Sequence, residues 1–471
     1  MKQRADLLVD AEVVLTMDAE ERILLGGSVA VLADRIVAVG DRSSVHGDFD
    51  ADRVIDAGDH LVMPGLVNTH THLFGPFTRG LVNDLSFTPW IQKKFYLTSK
   101  GLNEETYYLS TLMGCLDMLK TGTTTFVDCG TCQGLEESAV RGVVEAGSRA
   151  MLSRTMADIQ DDLAEFLDRP GMDTEQNLRE TEAYVKEFDQ SGDGRIRAWV
   201  CPIQVSSVSD DLALGAMEIA QKYDVGFAIH SNVDREDIAN HHTLFGLRPI
   251  ERFHKLGILN ERFLGTHMGW LSDLEVQLLR DSGASAVHCP SASMKGGYGA
   301  ISKGKFPELL QEEVTVGLGT DGPAASCYHD MFREVYLAAT AHKEARLDHT
   351  LISPYQALKM ATHGSAKAVL MADEIGSLEV GKKADLIALD LMRPEWVPWH
   401  EDNLISNLVY SSTGSSVDLV IVDGRIVVED SCILTIDEQW LLREMQGKVA
   451  PFVQLSREWD QKFWPQARGR L

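Results

Sequence analysis

Between residues 63 and 371, short apolar runs alternate with helical stretches, and that alternation constrains the fold more than any other property of this chain. The strand-like runs are Gly65-Leu66-Val67-Asn68, Thr123-Thr124-Thr125-Phe126-Val127, Ala198-Trp199-Val200, Gly226-Phe227-Ala228-Ile229, Phe263-Leu264-Gly265-Thr266, Ala286-Val287-His288 and Val314-Thr315-Val316-Gly317-Leu318. Helical patterns, such as Glu104 to Thr121, Asp210 to Lys222 and Asp273 to Asp281, separate them. Strand, helix, strand at this spacing calls for parallel strands with crossover helices. About eight such units in roughly 300 residues predict an α/β fold, a closed (β/α)8 TIM-like barrel. An open doubly wound sheet shares the same pattern.

Strand-like sequence of another kind occupies both ends. Asp6 to Met17 is rich in Leu and Val, Ser28 to Val39 alternates, and Val54-Ile55 and Leu61-Val62 follow. Lys383 to Leu389 reads as a strand, and Asp418 to Val428 as a hairpin turning at Asp423-Gly424. The expected organisation is a small β-sandwich domain built from 1–62 and 372–435, the barrel over 63–371, and a helical tail over 436–471. The tail carries Trp440, Phe452, Trp459, Phe463 and Trp464, which cover either the same chain or a second subunit. A homo-oligomer is expected.

The chain has 44 Lys and Arg against 70 Asp and Glu, a formal net charge of −26. That charge repels nucleic-acid phosphates and anionic lipid, so neither nucleic acid nor a membrane is an expected partner. No run of about 18 apolar residues predicts a transmembrane helix. Met1-Lys2-Gln3-Arg4-Ala5-Asp6 is basic but passes into an alternating strand with Asp10 and Glu12, unlike a signal peptide. Seven scattered cysteines fit a reducing cytoplasm.

The informative histidines share a position just after a strand. His70 and His72 follow Gly65 to Thr69, His230 follows Phe227-Ala228-Ile229, and His267 follows Leu264-Gly265-Thr266. Asp321 follows Val316 to Thr320 in the same way. In a (β/α)8 barrel such points converge on one face. Residues two apart on a strand point to the same side, so both imidazoles of His70 and His72 can reach one ion. Imidazoles with a carboxylate suit zinc, with iron or cobalt as alternatives. A lone His-x-His is as readily a pair of core histidines; the other strand-end groups turn it into a site.

Pro64-Gly65-Leu66-Val67-Asn68-Thr69-His70-Thr71-His72 resembles the entry motif of the amidohydrolase superfamily. His288-Cys289-Pro290-Ser291-Ala292-Ser293-Met294-Lys295 and Gly319-Thr320-Asp321-Gly322 resemble segments of its chlorohydrolase and S-adenosylhomocysteine-deaminase branch. Gly376 to Leu386 is similar to that family's strand re-entry into the β-sandwich. The resemblance implies that His70, His72, His230 and Asp321 ligate one divalent metal ion. It also implies that His267 stands by the activated water as an acid/base or extra ligand. Many members carry a carboxylated Lys at the fourth strand and a second metal. The run Ala198 to Ser207 has no Lys, which argues for a single ion.

One departure bears on the reaction. Deaminases of this branch carry Glu three residues after the fifth-strand His, and here that position is Val233. The Glu shuttles a proton to a ring nitrogen, which attack on an aromatic C=N requires and attack on a carbonyl needs less. The expected function is therefore metal-dependent hydrolysis of a C–N bond at an amide, urea or carbamate carbonyl of a small molecule, with Asp321 and His267 as catalytic residues. Hydrolases of phenylurea and thiocarbamate compounds belong to the same broad branch. The alternative is a deaminase or dechlorinase of a purine, pterin or s-triazine ring, with Asp234 or Glu236 replacing the missing Glu. A barrel that has lost catalysis is a third reading, and the intact ligand set speaks against it.

Trp90, Gln204, Asn232 and His288 are the candidate substrate-binding residues, with Phe74, Phe95 and Tyr96 as further candidates for an apolar wall. Cys129-Gly130-Thr131-Cys132 has redox spacing but no second pair and reads as structural. His241-His242 reads as a polar loop or lid, and Arg333 and Glu334 as helix-surface charges.

Overall fold

The computed structural model describes residues 2–159 and 173–463. Its centre is a barrel of eight parallel strands: Leu66–Thr71, Thr123–Thr131, Arg149–Met156, Ile196–Pro202, Phe227–Ser231, Phe263–His267, Ser285–His288 and Val316–Leu318, hydrogen-bonded in that order. Helices connect them. Glu104–Lys120 starts on a capping box at Asn103, Asp210–Tyr223 on the Ser209 side chain, and Asp273–Ser282 on a capping box of Ser272 and Glu275. The third strand escapes the sequence reading because Arg149 and Arg154 interrupt its apolar run. Both guanidinium groups are buried against acids, Arg149 on Asp385 and Asp423, Arg154 on Glu136 and Glu180.

The seam between the eighth and first strands is closed at their C-terminal ends. The Asp321 N–H donates to the His70 carbonyl (3.0 Å), and the Thr69 hydroxyl to the Leu318 carbonyl (2.8 Å). The Asn68 side chain donates to Thr320 Oγ1 (2.8 Å) and accepts from the Thr320 N–H (3.1 Å). Gly317 and Gly319 permit this approach. A Cβ there would lie 2.6 Å from Thr69 Cγ2 and 2.7 Å from His70 Cβ.

Both chain ends build one continuous nine-stranded sheet, the second body beside the barrel. Gln3–Leu15 lies parallel to Phe49–Pro64 and antiparallel to Gly27–Leu32. Leu386–Asp390 then pairs with the end of Phe49–Pro64, placing Leu386 opposite Pro64. The hairpin Val417–Val422 to Arg425–Glu429 turns at Asp423-Gly424, both at positive φ (53° and 75°), as an Asp-Gly turn requires. Alternation along the strand divides two cores. Leu386 and Ala388 join an apolar layer made by the sheet itself, whereas Ile387 and Leu389 join the barrel's core. Arg149 ties the two bodies together, with Nε 2.8 Å from Asp385 and Nη2 2.8 Å from Asp423.

The tail forms helices Glu438–Lys448 and Ala450–Phe463 and packs on its own chain. Phe452 stacks on Phe77 at 4.6 Å and fills the space left by Gly101, Lys93 pairs with Asp460 at 2.7 Å, and Trp459 is buried. Trp440 and Phe463 remain 37% and 38% exposed, and Trp464 lies outside the described residues. No described helix is long and apolar enough to cross a membrane.

Arg149→Met leaves two carboxylates buried at the junction, with Lys383 as the remaining cation on Asp423. Removing one partner of a buried ion pair costs about 3–5 kcal/mol. Denaturant unfolding should show a loss of that size, against little change for Arg425→Met, whose pairing with Asp193 is solvent-exposed. Equal stability of Arg149→Met and the parent would refute this role.

Candidate active site

The barrel delivers His70 and His72 from its first strand, His230 from its fifth and His267 from its sixth, with Asp321 three residues beyond its eighth. His70 Nε2 and His72 Nε2 each lie 3.5 Å from Asp321 Oδ1. Ring centroids of His70 stand 4.8 Å from His72, 4.9 Å from His230 and 5.3 Å from His267. Within each of two sets, His70/His72/Asp321 and His70/His230/His267, the ligand atoms lie within 4.8 Å of one another. His267 (φ 77°) and Asp321 (φ 56°) occupy the left-handed region, an energetically costly backbone that turns both side chains inward at the strand ends.

The donors fit a cation. Both ring nitrogens of His70 and Nδ1 of His72 are buried without a hydrogen-bond partner among the described residues. His230 Nδ1 lies 2.5 Å from the Ile203 carbonyl, so it donates there and leaves Nε2 with its lone pair free. Burial, and then neighbouring positive charge, holds the His72 and His230 imidazoles well below their ordinary pKa. Burial likewise pulls His267 down to about 3. Burial pushes the Asp321 carboxyl up, but His70, His72 and His267 outweigh it and hold it well below the carboxylate range. Neutral imidazoles and an ionised carboxylate are the protonation states that metal binding needs.

Above these groups, helix Phe87–Gly101 presents Phe87, Trp90, Ile91, Lys94 and Phe95 to the pocket. They recur at helical spacing and form one stripe. Phe74, Gln204 and Tyr298 add to the walls. Trp90, Phe74, Phe95 and Gln204 thus line the pocket as the sequence suggests. Beyond Gln204 an outer cleft opens, bounded by Phe87, Ile91, Glu236 and Asp237.

Several expected residues lie elsewhere. Tyr96 faces away from the pocket, under the Lys100 ammonium. Asn232 is fully buried, and its Nδ2 donates to the Trp270 carbonyl and to Glu275. His288 is stacked on Phe306 at 3.8 Å, with Nε2 3.1 Å from His342, and does not line the pocket. Strand-end position alone does not say which way a side chain turns, so both are better assigned to packing than to substrate. Val233 is buried, its N–H on Asp237; Asp234 caps helix Arg235–Phe245, and Glu236 lies in the outer cleft. Neither acid reaches the inner pocket. Among the described residues Asp321 is its sole carboxylate. Cys129 and Cys132 form no disulfide. His241 is buried, with Nδ1 on the Leu247 carbonyl. Glu334 is no surface charge: it is buried and accepts hydrogen bonds from the Ser291 N–H and hydroxyl. Phe87, Ile91, Lys94 and Tyr298 are lining residues that sequence reasoning missed; the helical stripe through Trp90 is the signal that could have marked the first three.

The amidohydrolase family model matches residues 61–427. The chain is 34% identical over 434 residues to a 5-methylthioadenosine/S-adenosylhomocysteine deaminase of Syntrophobacter fumaroxidans, covering 92% of this chain and 95% of the relative. It is 31% identical to a 5'-deoxyadenosine deaminase of Methanobrevibacter smithii, covering 97% and 100%. An adenosine deaminase from Xanthomonas campestris with bound zinc superposes with a TM-score of 0.89 at 26% identity, covering 96% and 100% of the two chains. A zinc complex of atrazine chlorohydrolase from Arthrobacter aurescens, at 22% identity, shares the fold, with a TM-score of 0.85 and 94% and 100% covered. The barrel with its strand-end histidines and aspartate, the sheet closed by both chain ends and these matches lead to one conclusion: the chain belongs to the amidohydrolase family and is a metal-dependent hydrolase of carbon–nitrogen bonds.

Proposed function

We propose that this enzyme hydrolyses an amide, urea or carbamate-like carbonyl of a small planar molecule and releases an amine. The observation that carries this reading is that Asp321 is the inner pocket's single carboxylate among the described residues, with Val233 at the sequence position where an additional acid would assist attack on an aromatic ring. His70, His72, His230 and Asp321 would hold one ion, zinc by the character of three imidazoles and a carboxylate. When bound, such a cation supplies Lewis acidity, enough to lower the pKa of water from ~15.7 to about 7.

The chain's own groups manage the proton. Asp321, ionised among the imidazoles, accepts it from the attacking water. His267 is neutral and orients the water or the developing oxyanion by hydrogen bonding. As the carbon–nitrogen bond breaks, the proton on Asp321 passes to the departing nitrogen, which restores the carboxylate. Trp90, Phe74 and Phe95 hold the flat part of the substrate, while Gln204 stands where the inner pocket meets the outer cleft.

A second reading, removal of an amino group from a nitrogen heterocycle, is favoured by the deaminase names of relatives 31–34% identical over nearly the whole chain. The seven cysteines, none of them in a disulfide, support a cytoplasmic setting. Phe452 and Trp459 are seated on their own chain; among the described tail aromatics Trp440 and Phe463 are the more exposed and support a homo-oligomer.

Two measurements test the proposal. Purified enzyme incubated with ureas, carbamates, purines, pterins and triazines should release an alkyl- or arylamine from the carbonyl compounds, identified by mass. Ammonia from the rings alone would establish the second reading instead. His230→Ala and Asp321→Asn should each reduce bound metal below the parent's one ion per chain. Their turnover should fall by at least about 100-fold, since even groups that only support metal ligands cost 10–100-fold. Full metal content and full turnover in either variant would rule out the ligand set.

A further inference from the structure

Helix Phe87–Gly101 carries two adjacent lysines with opposite fates. Lys93 turns outward to the tail and pairs with Asp460 at 2.7 Å. Lys94 turns inward, is 6% exposed and lines the inner pocket. Its Nζ lies 4.7 Å from the centre of the Trp90 ring, 4.9 Å from Phe95 and 5.4 Å from Phe74. No described residue offers this ammonium a hydrogen-bonding oxygen or a carboxylate in ion-pair contact. Ring faces attract a cation but accept none of its N–H groups as an oxygen would. Burial pulls its pKa down to about 8, with Asp321 opposing the fall, so the group is still mainly cationic at neutral pH.

A buried cation with unfilled hydrogen-bonding capacity, open to a pocket, is built for an acceptor that arrives with the ligand. The chain as a whole, at −26, disfavours anions, so attraction of one into this pocket needs a local positive group. Phe74 links the two regions. Its ring stacks on His72 at 4.8 Å and stands beside the Lys94 ammonium. We propose that Lys94 is the specificity-determining residue of this site and that the substrate is a planar anion, its carboxylate or ionised ring oxygen on Lys94 and its reacting carbon beside His72. This deepens the hydrolase reading above and rests on it for the word substrate, but the recognition itself is testable without turnover.

The metal-loaded protein is titrated calorimetrically with two matched pairs: benzoate against benzamide, and barbiturate against uracil. Each pair is flat and differs mainly in charge, one through a carboxylate and one through a ring oxygen. Any direct attraction of the anions to the metal is common to the parent and a Lys94 variant, so the comparison isolates the lysine. Lys94→Met should weaken binding of at least one anion by about ten-fold or more, with its neutral partner within about two-fold, and Lys94→Arg should restore part of the difference. The pair that responds identifies the anion type. Equal weakening of charged and neutral ligands, or no weakening of either anion, would overturn the proposal. Absence of turnover on every carbon–nitrogen substrate would count against the hydrolase reading alone.

Discussion

Closing the barrel and assembling the site are one physical event. The peptide that brings Asp321 to the cation site also donates its N–H to the His70 carbonyl, so the bond that seals the seam sets the distance between two ligands. Three imidazoles and a carboxylate crowded into a dry interior are costly without an ion to share. A cation that binds the folded chain and not the unfolded one offsets that cost and stabilises the fold by mass action. The strained backbone at His267 and Asp321 belongs to the same balance.

Much of this arrangement was legible from residue order because parallel-barrel chemistry rides on strand ends. A two-residue period placed His70 and His72 together, and the recurrence of polar groups after apolar runs placed His230, His267 and Asp321 on the same rim. What was not legible depends on direction. Asn232 and His288 also end strands, yet their side chains are committed to internal partners. Arg149–Met156 was hidden because a buried arginine looks like a surface residue until Asp385 and Asp423, more than two hundred positions away, are seen against it. Glu334 was misread for the same reason, its partner Ser291 lying on another helix.

The pocket separates roles that one residue often combines. Val233 is buried and does not line the inner chamber, where Asp321 is the one carboxylate among the described residues. In the proposed reading proton handling falls to Asp321, and Lys94 brings charge of the opposite sign to the same pocket. Two relatives sharing the same metal-ligand residues could therefore differ in chemistry through position 233 and in substrate charge through position 94. Neither residue takes part in the hydrogen bonds that close the seam. Similarity along the whole chain and divergence in what is hydrolysed are physically compatible.

The tail gives this division an unexpected reach. Phe452 and Asp460 brace the outer side of the helix whose inner side presents Trp90 and Lys94. The wall proposed to select the substrate is thus buttressed by helix Ala450–Phe463, remote in sequence from the proposed metal ligands. Mutations accumulating in that buttress can tilt the wall by fractions of an ångström without altering a single pocket residue. Selectivity in this enzyme can drift from its carboxyl-terminal end, where a comparison restricted to pocket-lining positions would register no difference.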